Sequence, residues 1–85
     1  MTREALAEID EEILMADGFD EALIGYAQRC GQPALAVYDR NKCIDVLVNR
    51  DGMSYEEAEE FFEFNVVGAW VGERTPLFLC RLETE

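Results

Sequence analysis

Pro33-Ala34-Leu35-Ala36-Val37-Tyr38, followed at once by Asp39-Arg40-Asn41-Lys42-Cys43-Ile44-Asp45, decides the fold class. Proline cannot donate to a sheet ladder but is tolerated at the first residue of a strand. The short apolar run behind Pro33 therefore reads as a strand buried on at least one face. Asp39 is then a good N-cap for a helix reaching about Arg50, with Asp51-Gly52 as its stop. Ile44, Val46 and Val48 alternate, which keeps a strand as a rival, but the length favours helix. A second run of the first kind, Pro76-Leu77-Phe78-Leu79-Cys80, predicts another strand.

Outward from this stretch the remaining segments are helical in spacing. Ala5, Leu6, Ile9 and Ile13 predict a helix from Thr2 to about Leu14, although Glu12-Ile13-Leu14-Met15 also suits a short strand. Asp20 can cap a second helix, Glu21 to about Arg29, ended by Gly31, with Ala22, Leu23, Tyr26 and Cys30 on one stripe. Ser54 opens the last helix, and Glu57 three residues on completes a capping box. Tyr55, Ala58, Phe61, Phe62, Asn65, Val66 and Ala69 follow at steps of three and four, an amphipathic pattern running towards Trp70. The expectation is a single α+β domain over residues 1–85. Four helices pack on a small two- or three-stranded sheet, with strands near 34–38 and 77–81.

Composition agrees with a folded domain of modest stability. The 85 residues are 49% hydrophobic, with five Phe, three Tyr and one Trp. A chain this short buries roughly 60–65% of the surface its unfolded form exposes. Seven basic residues against nineteen acidic ones leave a net charge of −12. Such a field repels nucleic acid and anionic membranes and favours basic partners. It also serves solubility alone. Residues 1–12 are acidic and lack an apolar core of signal-peptide length. No stretch approaches the roughly 20 apolar residues of a membrane span. Cys30, Cys43 and Cys80 are an odd, widely spaced set, as expected of reduced, mostly buried thiols in a cytoplasm.

Catalytic and metal chemistries find little support. There is no histidine, and the cysteines do not cluster, so a transition-metal site lacks ligands. The segment from Asp39 starts like a calcium-binding loop, but its sixth position is Ile44 and its twelfth Arg50, where glycine and glutamate are needed. The single serine, Ser54, is explained by capping. No base stands ready to activate a cysteine, and no glycine-rich loop offers to cradle phosphate. No cofactor is expected. Direct nucleic-acid binding is disfavoured as well, because the basic residues are scattered apart from Arg40, Lys42 and Arg50.

The most informative segment is Tyr55 to Trp70. Glu56, Glu57, Glu59, Glu60 and Glu63 crowd one half of it without a basic residue among them. Glu56 and Glu57 gain from the helix dipole. The five like-charge pairs at three and four apart cost about 1–2.5 kcal/mol together before screening. Either the row meets a basic partner, or it is a solvated face relieved by Arg or Lys from elsewhere in the fold. Asn65 falls on the expected buried side, where its amide must be hydrogen-bonded. It either ties the helix to the backbone of Gly72-Glu73-Arg74-Thr75 or contacts a ligand or partner. Tyr55 and Trp70 are expected in the core, with a partner-contact role as the alternative.

The run Asp51-Gly52-Met53-Ser54-Tyr55-Glu56-Glu57-Ala58, then Glu60-Phe61-Phe62, then Phe64-Asn65-Val66-Val67-Gly68-Ala69-Trp70-Val71-Gly72-Glu73 and Thr75-Pro76, resembles a group of short hypothetical proteins from bacteriophages, prophages and bacteria. With the less distinctive stretch from Asp17 to Asp39, the resemblance covers most of the chain. It implies a viral or mobile-element setting in a bacterial cytoplasm and supports a helix over Asp39–Arg50. It carries no catalytic residues. The functional expectation is a non-enzymatic accessory protein that binds a basic host protein surface through Glu56, Glu59, Glu60, Glu63, Asn65 and Trp70. Two alternatives remain: a nucleic-acid mimic that occupies a basic groove, or a self-assembling structural protein, for example a homodimer sharing its sheet. A small enzyme or ligand binder would need a closed pocket lined by Asn65, Tyr38 or Cys43.

Overall fold

The computed structural model describes residues 2–81. Its first helix, α1 (Arg3–Ile9), starts where the Thr2 hydroxyl accepts the Ala5 N–H at 3.2 Å. It is shorter than the apolar spacing predicts. Asp10 turns extended, and its carboxylate accepts the Glu12 N–H at 2.9 Å and a guanidinium N–H of Arg74 at 2.8 Å. Aspartate competes with the helix for local amides in this way. Residues 12–15 are neither helix nor strand. They are irregular chain anchored by buried Ile13 and, just beyond, by the Ala16 N–H, which donates to the Tyr38 hydroxyl at 2.8 Å.

The helix expected over Glu21–Arg29 does not form. A single 3-10 turn, Asp20–Ala22, leads into strand β1 (Leu23–Ala27). Gly25 in a helix interior costs about 1 kcal/mol. Ile24 and Tyr26 are strand-favouring types. Antiparallel pairing with the next strand, β2 (Leu35–Asp39), satisfies the backbone instead, in the register Gly25↔Val37, Tyr26↔Ala36 and Ala27↔Leu35 with a bulge at Ile24. The apolar stripe fitted both periods, and the partner strand decided.

Beyond β2 the elements start where the sequence predicts, but α3 and the last strand end sooner, at Phe62 and Leu79. Helix α2 (Arg40–Asp51) is capped by Asp39 and stopped by Gly52, which takes a left-handed φ of 70° that other residues rarely adopt. Helix α3 (Tyr55–Phe62) begins with the complete Ser54/Glu57 capping box. Strand β3 (Leu77–Leu79) returns parallel to β2, with Tyr38 opposite Phe78. Among the described residues the result is a three-stranded mixed sheet in the order β1-β2-β3, with three α-helices where four were expected.

Helices α2 and α3 bridge β2 and β3 and fill one side of the sheet. Ala36 and Tyr38 point into the core, where Cys43, Ile44 and Leu47 of α2, Ala58 and Phe62 of α3, and Leu6 of α1 meet them. Phe62 is the centre of this packing. Its ring lies 5.1 Å from that of Phe78 and 6.1 Å from that of Phe19, both edge-on, a favoured aromatic geometry. On the other side of the sheet Leu35 and Val37 are only half-buried, and Leu77 and Leu79 are exposed. Among the described residues, no helix is long and apolar enough to cross a membrane.

Candidate functional site

The acidic helix does not run to Trp70. After Phe62 the backbone widens into a π turn, Glu63–Val67, closed by the Gly68 N–H donating to the Glu63 carbonyl at 3.0 Å. A π turn holds an extra residue, and such turns recur at functional sites. Gly68 permits it: a Cβ there would sit 2.8 Å from the Phe64 carbonyl oxygen and 3.1 Å from that of Glu63. The extra residue shifts the phase of everything that follows. Asn65, expected on the buried side, is exposed. It does not tie the helix to the 72–75 loop. Thr75 holds that loop itself, its hydroxyl accepting the Val71 N–H at 2.9 Å and donating to the Gly72 carbonyl at 2.7 Å.

Large apolar side chains in and beyond the turn stand in water. Phe64 is 82% exposed and Trp70 76%. Tyr55, at 54%, also lies outside the core, so both aromatics expected there are surface residues. Phe61 and Phe64 line an open depression of about 460 Å³ with Met53, Glu57, Glu60 and Asn65. Trp70 stands apart from it, beside a groove of about 400 Å³ that reaches Arg29, Leu35, Glu73 and Leu77. The partner surface expected from sequence is thus split: Glu60 and Asn65 lie together, and Trp70 belongs to the open side of the sheet. Phe61, Phe64 and Leu77 were not singled out. One signal was present, because Phe61, Phe62 and Phe64 cannot all share one helical stripe.

The carboxylates divide too. The Arg40 guanidinium, at the start of α2, donates to Glu63 at 3.0 Å and lies 3.7 Å from Glu59, with its carbon 5.9 Å above the Phe62 ring. Glu59 and Glu63 are therefore relieved by a cation from elsewhere in the fold. Glu57 is occupied as well: its carboxylate accepts the Ser54 N–H at 2.9 Å, and that amide holds it below its ordinary pKa. Glu56 and Glu60 make no ion pair among the described residues and face solvent. Other carboxylates outside the ion pairs, Glu4, Glu8, Glu11, Glu21, Asp45 and Glu73, come from separate segments of the chain.

Cys30 and Cys80 are exposed free thiols, where the sequence predicts mostly buried ones, whereas Cys43, Tyr38 and Asp39 are engaged in structure. Burial pushes the Cys43 thiol up to about 12, leaving no thiolate at neutral pH. Burial also raises Tyr38, whose hydroxyl is taken by the Ala16 amide. Asp39 is only 5% exposed and uses both oxygens, one accepting the Lys42 N–H at 3.3 Å and the other the Arg81 Nε–H at 3.1 Å. Burial works against its charge, but the Lys42 amide and the Arg81 guanidinium outweigh it and hold the carboxyl below its ordinary value. The segment that begins like a calcium loop is thus the first turn of α2. Among the described residues, no group of three or more Cys, Asp or Glu side chains is placed to hold a metal ion. No family model, curated protein or solved structure matches the chain.

Proposed function

We propose that the protein is a non-enzymatic binding module that seats the Phe61–Phe64 edge, where α3 passes into the π turn, in an apolar pocket of a basic partner protein. The carrying observation is Phe64, 82% exposed beside the solvent-facing carboxylate of Glu60. Large aromatics exposed in this way, with polar neighbours, are the usual anchors of protein interfaces. Glu56 and Glu60 steer the approach of a cationic partner, and the net charge of −12 extends that pull. Asn65 offers an amide at the rim. The resemblance of residues 51–76 to phage and prophage proteins makes a bacterial host protein the partner, in the host cytoplasm.

Nucleic-acid mimicry is the weaker reading, because Arg40 neutralises Glu59 and Glu63 and interrupts the row of negative charge. The experiment is capture from bacterial lysate at low and high salt, with wild type, Phe64→Ser and Glu56→Lys/Glu60→Lys as baits. A basic protein retained at low salt, released at high salt and lost by both variants is the expected result. Retention of nothing basic, or retention indifferent to salt and to Phe64, sinks the proposal.

A further inference from the structure

The open side of the sheet calls for an occupant of a different kind. Leu35 and Val37 of β2 and Leu77 and Leu79 of β3 form an apolar strip there, and Trp70 stands beside it. An exposed apolar face of this sort marks an interaction surface. Its charges are balanced, in a molecule of net charge −12. The groove by Trp70 carries one cation, Arg29, and one anion, Glu73. Neither makes an ion pair among the described residues; of the basic side chains only Lys42, at the start of α2 and away from this face, shares that state with Arg29, while Arg3, Arg40, Arg50, Arg74 and Arg81 are paired to acids of their own chain. Among the described residues Arg29 is thus open to a carboxylate from another molecule.

We propose that this face docks a second copy of the chain across a twofold axis. In an isologous interface the same patch meets itself, so a residue that contacts another across the axis is contacted in return. Arg29 of each copy then meets Glu73 of the other, giving two reciprocal pairs around a centre of Trp70 and the leucines. The balanced charge of the groove is what suits it to self-pairing. Two molecules of this charge repel through most of their surfaces, and least where cation and anion are matched. A basic partner would meet Arg29 unfavourably here, which separates this face from the Phe61–Phe64 edge.

Sedimentation equilibrium over a concentration series tests the proposal. Wild type is expected to rise from 9.7 kDa towards twice that mass, and to do so more readily as salt screens the repulsion between copies. Trp70→Ser and Arg29→Glu are each expected to weaken association by about tenfold, since the charge reversal affects two pairs per dimer. Both side chains are exposed, so the variants fold, which circular dichroism checks. Arg29→Glu combined with Glu73→Arg restores association, and Phe64→Ser leaves it unchanged. A wild type that stays at 9.7 kDa throughout overturns the proposal. So does a dimer indifferent to Trp70→Ser, or a charge swap that fails to restore it. The opposite salt dependence keeps this result distinct from capture by the α3 edge.

Discussion

At the scale of the residue, Asp39 holds the most together. It is the last residue of β2, the cap of α2 and the anion that receives Arg81 beyond β3. The cap was legible in the sequence, because Asp before a helical stretch has few other uses. The bond to Arg81 was not, since nothing local in a sequence pairs residues that far apart. Asp39→Ala removes both and should lower stability by about 2–3 kcal/mol, the cost of a lost cap plus a lost buried charged hydrogen bond. Asp39→Asn keeps the cap and should cost less, about 1 kcal/mol. The carboxyl is held below its ordinary value of 3.8 in the fold. Its contribution is therefore complete above that value and disappears as pH falls through the lower folded one. Denaturant titrations of wild type and Asp39→Asn should show a stability gap at neutral pH that closes in acid. A gap of constant size would mean that the charge of Asp39 contributes nothing.

At the scale of the element, capped helices and proline-led strands were readable from their ends. α2, α3, β2 and β3 all begin at or close to the residue that announces them. What failed was continuation. At β1 the sequence predicts a helix, because a strand with a bulge and a helix both accept the apolar stripe Ala22, Leu23, Tyr26, and only pairing with β2 separates them. The π turn was read as more α-helix because the steps of three and four continue unbroken to Ala69. The π turn carries Asn65 out to solvent, and Trp70 lies in irregular chain past the end of the turn. Gly68 has φ −71°, so alanine there suits the backbone, and a helix-like position of that sort would ordinarily gain from it. The contact with the Phe64 carbonyl reverses the sign. Gly68→Ala should destabilise by about 1–3 kcal/mol, the usual cost of forcing an extra carbon into a filled space. Thermal denaturation decides the point, and a stabilised variant would show that the turn tolerates a side chain.

At the scale of the whole molecule, the relief of the acidic row by a cation from elsewhere in the fold, one of the two readings the sequence offers, is what Arg40 supplies. A row of glutamates along one helix became two solvent-facing acids, one capping acid and two held by Arg40. Side chains from different elements rearrange a linear pattern in this way, and the pairing of Arg40 needed α2 laid against α3. The position of Trp70 also has a consequence for anyone handling the protein. It is the only indole in the chain, and in the monomer it already lies in water. Its fluorescence should therefore hardly change when the fold is lost, so an unfolding curve recorded at that emission will look flat while circular dichroism shows a full transition. The same optical silence makes it a low-background reporter of contact. A blue shift appearing only with rising protein concentration would record the covering of that face, with no label attached.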